Sequence, residues 1–197
     1  MNGKTHDTRQ HILDVGYQLV LQKGFTGMGL SELLKTADVP KGSFYHYFAS
    51  KEQLGVVLVE QYFQRHLSFM LQIFQQSNLS QFEKLMQYWQ AWVEHNSPQC
   101  ANGKCLVVKL AGEVSDFSEP MRMALLTGTE QVITHLTTAL SEGCQQGEFH
   151  LSDSRQTAEL LYNMWLGASL LVKIRLDDST LQHALQTTEQ LLTQPQR

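Results

Sequence analysis

Apolar residues recur at helical spacing along almost the whole chain. Between residues 8 and 22, Ile12, Val15, Leu19 and Val20 fall on one face, and Gly24 ends the run. Leu30, Leu33, Leu34 and Ala37 predict a short second helix. Asp38-Val39-Pro40 is a turn, because Pro40 cannot continue the preceding helix. A third helix is expected over 41–47. Ser50 caps a fourth, with Glu52 and Gln53 in its first turn, running to about residue 76 through Leu54, Leu58, Tyr62 and Phe69. Further helices are predicted over 79–95, 103–114, 119–146, 153–175 and 179–193. No segment alternates with period two between turn pairs, so the expected fold class is all-α.

The last two helices differ from the others. Leu160 to Val172 is apolar on most sides, through Leu161, Met164, Trp165, Ala168 and Leu171, which predicts burial on several faces. Leu181, Ala184, Leu185, Thr188, Leu191 and Leu192 form a narrow stripe of near-heptad period. Joined by Asp177-Asp178-Ser179, the two helices suggest an antiparallel pair that packs on a symmetry mate as a four-helix bundle. The expected partner is therefore a second copy, a homodimer through helices 153–175 and 179–193.

The chain has 197 residues, enough for a core without staples. No run reaches the ~18 apolar residues of a membrane span. Met1 to Arg9 is polar and lacks the apolar centre of a signal peptide, so no membrane partner and a cytoplasmic location are expected. Cys100, Cys105 and Cys144 cannot all pair within the chain and are expected as thiols. The net charge of −4 is not that of a nucleic-acid binder overall. Its distribution is more telling. Residues 1–51 carry six basic against four acidic residues, the rest nine against fifteen. A mildly basic head on an acidic body fits a DNA-binding module joined to a regulatory one.

The segment Val39-Pro40-Lys41-Gly42-Ser43-Phe44-Tyr45-His46-Tyr47-Phe48 gathers groups that bond phosphates and base edges, just after a short helix and a turn. That order is the layout of a helix-turn-helix, whose second helix enters the major groove. Gly42 lets backbone approach backbone closely, and Lys41 and Lys51 can neutralise phosphates. Ser43, Tyr45 and His46 project from the reading helix, Tyr47 can offer its hydroxyl, and Thr26 is a further phosphate contact. Phe44 and Phe48, four apart, are expected to anchor the helix on the core.

With Gly24-Phe25, Leu30-Ser31-Glu32-Leu33, Ser50-Lys51-Glu52 and Leu54, this segment resembles the N-terminal domain of the TetR family of transcriptional repressors, over about residues 8–55. The resemblance implies a three-helix helix-turn-helix domain at residues 1–50 and a helical sensing and dimerisation domain at 51–197. It also implies a homodimer that binds palindromic double-stranded operator DNA and releases it on meeting an inducer. Met28 stands where the family often has threonine, and Asp38 replaces a frequent turn glycine.

Asn102-Gly103-Lys104-Cys105-Leu106-Val107-Val108-Lys109-Leu110, then Glu113-Val114 and Met121-Arg122, resemble an electrophile- and oxidant-sensing subgroup of that family. Gly27-Met28-Gly29-Leu30 and Trp165-Leu166-Gly167-Ala168 carry the same resemblance. A helix N-terminus and the cations Lys104 and Lys109 favour the Cys105 thiolate, which adds to electrophilic alkenes and carbonyls and oxidises to sulfenic acid. Lys173, at the end of an apolar helix, is expected to be partly desolvated and could condense with that sulfenic acid. Trp89, Trp92, Phe117, Met164 and Trp165 could line a pocket for an apolar ligand, or could be core.

No zinc spacing, phosphate-cradling glycine loop or nucleophile elbow is present, so no metal, cofactor or catalytic residue is expected. Three rivals to covalent sensing are a repressor induced by a noncovalently bound apolar molecule, a thiol-dependent helical transferase using Cys105, and an all-helical assembly protein.

Overall fold

The computed structural model describes residues 2–98 and 105–193, with side chains from residue 8 onward; Cys100 and Lys104 lie outside them. Among the described residues there are nine helices and no strand. They are α1 (Asn2–Gly27), α2 (Leu30–Thr36), α3 (Lys41–Tyr47), α4 (Lys51–Phe74), α5 (Gln81–Asn96), α6 (Leu106–Val114), α7 (Glu119–Gln145), α8 (Ser154–Arg175) and α9 (Ser179–Thr193). Each follows from the helical periodicity of its segment. The first helix, expected over 8–22, starts earlier, at Asn2, and goes about one turn further. Its backbone breaks at Gly24 (φ 80°, ψ 171°) and then resumes to Gly27.

The chain packs as two units, Met1–Phe63 with Lys109–Gly128, and Gln64–Val108 with Thr129–Arg197. The first unit extends beyond residue 50, since α4 as far as Phe63 and α7 as far as Gly128 belong with α1–α3. Its core holds Ile12, Leu13, Met28, Leu33, Phe44, Phe48, Leu54 and Leu58, all buried. Gly16 lets α1 lie against Leu33, Leu54 and Leu58. Gln10 and Gln61 exchange side-chain amide bonds of 3.4 and 3.1 Å between α1 and α4. His11 Nε2 lies 3.0 Å from the Ala37 carbonyl, at the end of α2.

The α2–α3 turn needs one residue in the left-handed region, and Asp38 supplies it with φ 51°. Asp tolerates that conformation better than most residues, which explains how it can replace glycine here. Ser50 caps α4 as expected, accepting from the Gln53 N–H at 3.0 Å, while Gln53 Oε1 accepts from the Ala49 N–H.

In the second unit α8 packs on α9, and α5 on α9. Ser80 and Glu83 form a reciprocal capping box on α5. Glu148, far along the chain, accepts from the N–H groups of Gln81 and Phe82 at the same helix end. α8 is expected to be buried on several faces, in part by a symmetry mate; within one chain one face is buried. It buries Thr157, Ala158, Leu161, Tyr162, Trp165, Ala168, Ser169 and Val172, but Leu160, Leu170, Leu171 and Ile174 stay exposed. Within one chain its other apolar side faces water.

Glycines at close approaches give a direct check on packing. A Cβ at Gly128 would overlap the Phe63 ring, whereas one at Gly112 would meet nothing within 4 Å. Gly128→Ala should destabilise by about 1–3 kcal/mol through overpacking. Gly112→Ala should be neutral or stabilising by up to about 1 kcal/mol through helix propensity. Urea unfolding midpoints of the two variants read the contrast.

Candidate nucleic-acid interface and thiol site

A helix as short as α3 cannot hold itself together and depends on what it packs against. Phe44 and Phe48, one turn apart, provide the anchor: both are buried, with ring centroids 5.4 Å apart. The Arg9 guanidinium lies 5.4 Å from the Phe48 ring centroid, a cation–π contact from α1. With that side spent on packing, the other faces solvent. Lys41, Gly42, Tyr45 and His46 are exposed, and Ser43 and Tyr47 are half-buried.

The exposed groups are arranged on one another. Lys41 Nζ lies 5.8 Å from the Tyr45 ring centroid, and the His46 and Tyr47 rings meet edge-on at 4.8 Å. Tyr45 is 47% exposed, a large ring left in water beside a lysine. Gly42 is the most informative member. A Cβ there would meet nothing within 4 Å, so nothing inside this chain demands glycine. Glycine in a helix costs about 0.5–1 kcal/mol relative to alanine, so its use fits a surface that must come close to another molecule.

Two predicted contacts lie off this helix. Lys51 opens α4 with its Nζ 4.6 Å from the Phe25 ring centroid. Partial burial lowers the Lys51 pKa, opposed by the Glu113 carboxylate. Thr26 is exposed, with its backbone N–H and its hydroxyl both donating to Glu113. Glu113 was not singled out as a contact by sequence reasoning. No local signal could reveal it, because 87 residues separate it from Thr26.

In the second unit Cys105 is 4% exposed and directly precedes α6. Two phenols feel its charge. The Tyr88 hydroxyl is pushed well above its ordinary pKa, by burial first and then by the neighbouring Tyr162 and Cys105 charges. Tyr162 is pushed up for the same reasons, burial and then Cys105. Both phenols therefore stay protonated as donors. His66 Nε2 lies 2.9 Å from the Tyr88 hydroxyl. Burial, with a smaller contribution from His95, lowers the His66 pKa to about 4. His66, Tyr88 and Tyr162 are likewise invisible to a reading of spacing alone.

Trp89 and Trp165 stack at 4.6 Å and 8°, and both are fully buried. Trp92 Nε1 donates to Ser169 Oγ at 2.9 Å, and Trp165 Nε1 to Thr188 Oγ1 at 3.0 Å. Trp89 Nε1 is buried without an acceptor among the described residues. Met164 is half-buried on α8. Phe117 belongs to the first unit, where it stacks on Phe25 and is 53% exposed. Lys173 is an exposed residue of the last turn of α8. Cys144 is half-buried, its sulfur 3.9 Å from Ser154 Oγ. Among the described residues no group of three metal-ligating side chains converges, and no helix is long and apolar enough to cross a membrane.

Comparison with known proteins agrees with this geometry. Residues 12–55 match the family described as bacterial regulatory proteins, tetR family. Residues 79–188 match the tetracyclin repressor-like C-terminal domain. The chain is 42% identical to the HTH-type transcriptional repressor NemR of Escherichia coli (strain K12), over 99% of both chains. It is 31% identical to the HTH-type transcriptional repressor DhaR of Mycobacterium sp. (strain GP1), over 84% of this chain and 82% of that one. The crystal structure of the reduced form of E. coli NemR superposes with a TM-score of 0.91, covering 98% of this chain and 100% of that one.

The His66 environment has a stability consequence. Unfolded, His66 takes up a proton near pH 6.5; folded, only near pH 4. The unfolded state binds more protons in that window. The contribution is therefore full above pH 6.5 and is lost as pH falls towards 4. Its size is at most about 3 kcal/mol. Thermal midpoints of wild type should fall more steeply between pH 7 and 4 than those of His66→Gln.

Proposed function

Because the chain belongs to the TetR family of transcriptional repressors, we propose that it binds palindromic operator DNA as a homodimer and is released when an electrophile or oxidant modifies Cys105. Residues 1–50 serve as the DNA-binding domain and 51–197 as the sensing and dimerisation domain. The observation that carries the DNA-binding part is the outward face of α3. Lys41, Gly42, Tyr45 and His46 stand in solvent on a helix whose other side is locked by Phe44 and Phe48.

In this reading Gly42 admits the phosphate backbone, Lys41 and Lys51 neutralise phosphates, and Ser43, Tyr45, His46 and Tyr47 supply hydrogen bonds. Thr26, expected as a phosphate contact, already spends its N–H and its hydroxyl on Glu113. Two reading helices, one from each copy, reach half-sites about 34 Å apart or a multiple of it. The exposed Leu160, Leu170, Leu171 and Ile174 of α8 support dimerisation through α8 and α9, since a second copy would remove them from water.

The sensing step is a thiol addition. The sulfur of Cys105 forms a bond to the electrophilic carbon of an alkene or carbonyl, and the electron pair displaced onto the electrophile takes a proton. Protonated Tyr88 and Tyr162 can donate hydrogen bonds to the anion that precedes it. With a peroxide-type oxidant the thiol becomes a sulfenic acid, which can condense with the Lys173 amine with loss of water. Burial at 4% leaves little room beside the sulfur, so the added group must displace its neighbours. A shift of a few kcal/mol towards the non-binding arrangement suffices to empty the operator.

One observation favours noncovalent induction instead. The buried indole N–H of Trp89 lacks an acceptor, which a carbonyl-bearing apolar ligand would supply. A gel shift separates the readings, using the DNA immediately upstream of this protein's own gene. Wild type should bind and be released by a maleimide, whereas Cys105→Ser should bind and stay bound. Release of the Ser variant would favour the noncovalent reading. Lys41→Ala should weaken binding to all duplexes and flatten the log–log salt slope by about 1. Gly42→Ala should lower DNA affinity while leaving the thermal midpoint equal or higher.

A further inference from the structure

The corner between α1 and α2 is built around a carboxylate from α6. Gly24 leaves helical geometry at φ 80°, which turns the next two N–H groups outward together. Phe25 N–H donates to Glu113 Oε2 at 3.1 Å and Thr26 N–H to Oε1 at 2.5 Å. The Thr26 hydroxyl donates a third bond to Oε1. A Cβ on Gly24 would stand 2.5 Å from one carboxylate oxygen and 2.9 Å from the other. Glycine is therefore required twice here, by its φ and by the space Glu113 takes.

Further contacts close the same corner. Lys51 Nζ lies over the Phe25 ring, and Phe117 stacks on that ring at 6.5 Å. Ser118 Oγ donates to Glu52 Oε1 at 2.7 Å, joining the start of α7 to the start of α4. Met121 and Phe25 both fill the space left by Gly55. The donor set on Phe25 and Thr26 is the kind that otherwise binds a phosphate, two aligned N–H groups and a hydroxyl. Here the chain fills it with its own anion.

We infer that Glu113 is a positioning residue for operator binding: it occupies the Phe25–Thr26 donor set and fixes the corner from which α2 and α3 leave α1. It touches no DNA. It acts by holding the reading helix in the orientation in which Lys41, Tyr45 and His46 meet the groove. The inference deepens the proposal of Cys105 sensing and rests on it for its regulatory half. Glu113 follows Cys105 by eight residues in the chain, so in that proposal modification of Cys105 loosens the clasp.

The test uses the full-length protein and fluorescence anisotropy of a labelled duplex from the DNA upstream of its own gene, before and after maleimide. Glu113→Gln keeps the shape and removes the charge; it should bind about tenfold or more weakly. Its thermal midpoint should stay near that of wild type. Thr26→Val removes only the hydroxyl donor and should weaken binding about threefold. In the double variant Thr26→Val should add almost nothing, because its effect runs through Glu113. Maleimide should release wild type strongly but change Glu113→Gln by less than about twofold, since that variant already lacks the clasp. A merely structural glutamate would leave the maleimide response intact.

Binding by Glu113→Gln within about twofold of wild type overturns the inference. So does a full Thr26→Val effect persisting in the Glu113→Gln background, which would put Thr26 on a DNA phosphate directly. If Glu113→Gln does not fold, Thr26→Val decides alone, and unchanged affinity overturns the inference. A wild type that fails to bind the duplex overturns the DNA-binding reading and the clasp together. A Cys105→Ser protein still released by maleimide overturns covalent sensing, while the affinities of the Glu113 and Thr26 variants still judge the clasp.

Discussion

A seven-residue helix has almost no stability of its own, and the architecture of the first unit follows from that weakness. α3 is held by burying Phe44 and Phe48 in the core formed with α1, α2 and the start of α4. The anchor uses one side of the helix completely. Everything able to meet another molecule is thereby pushed to the opposite side, where Lys41, Gly42, Tyr45 and His46 stand together. Rigidity and availability come from the same packing event. Without the two phenylalanines the polar groups would have no common direction.

Carboxylates from distant segments do similar work at helix ends. Glu113 takes up the N–H groups exposed where Gly24 interrupts α1, and Glu148 takes up those at the start of α5. A carboxylate with several such donors is held ionised, and Glu113 illustrates the balance. Partial burial raises its pKa, but the bonds from Thr26 and Phe25 and the charge of Lys109 outweigh that, leaving it below the usual range. Both joints link elements far apart in sequence, so each closes a long loop with a few charge-assisted bonds.

The second unit solves a different problem, the placement of polar atoms within an aromatic core. Trp92 and Trp165 find hydroxyl acceptors on Ser169 and Thr188, both buried and both also bonded to a carbonyl one turn back. His66 and Tyr88 satisfy each other. Cys105 sits where two protonated phenols feel its charge. These two phenols come from α5 and α8, which no single stretch of chain contains.

Helical periodicity, the capping residue Ser50 and the prolines at helix boundaries were enough to place the helices after α1 among the described residues to within a few positions, because these signals are local, whereas α1 runs beyond its expected 8–22 at both ends. The Phe44–Phe48 anchor and the polar face of α3 were also legible, since four-residue spacing puts two side chains on one side of a helix. The placement of Phe117 in a different unit from the tryptophans was not. Glu113 on Thr26, and Cys105 near Tyr88 and Tyr162, were equally hidden. Local sequence determines which segments are helices and which face of each is apolar. Which faces meet, and which charge lands on which donor, is decided only when distant segments pack, because those contacts depend on where the rest of the chain has gone.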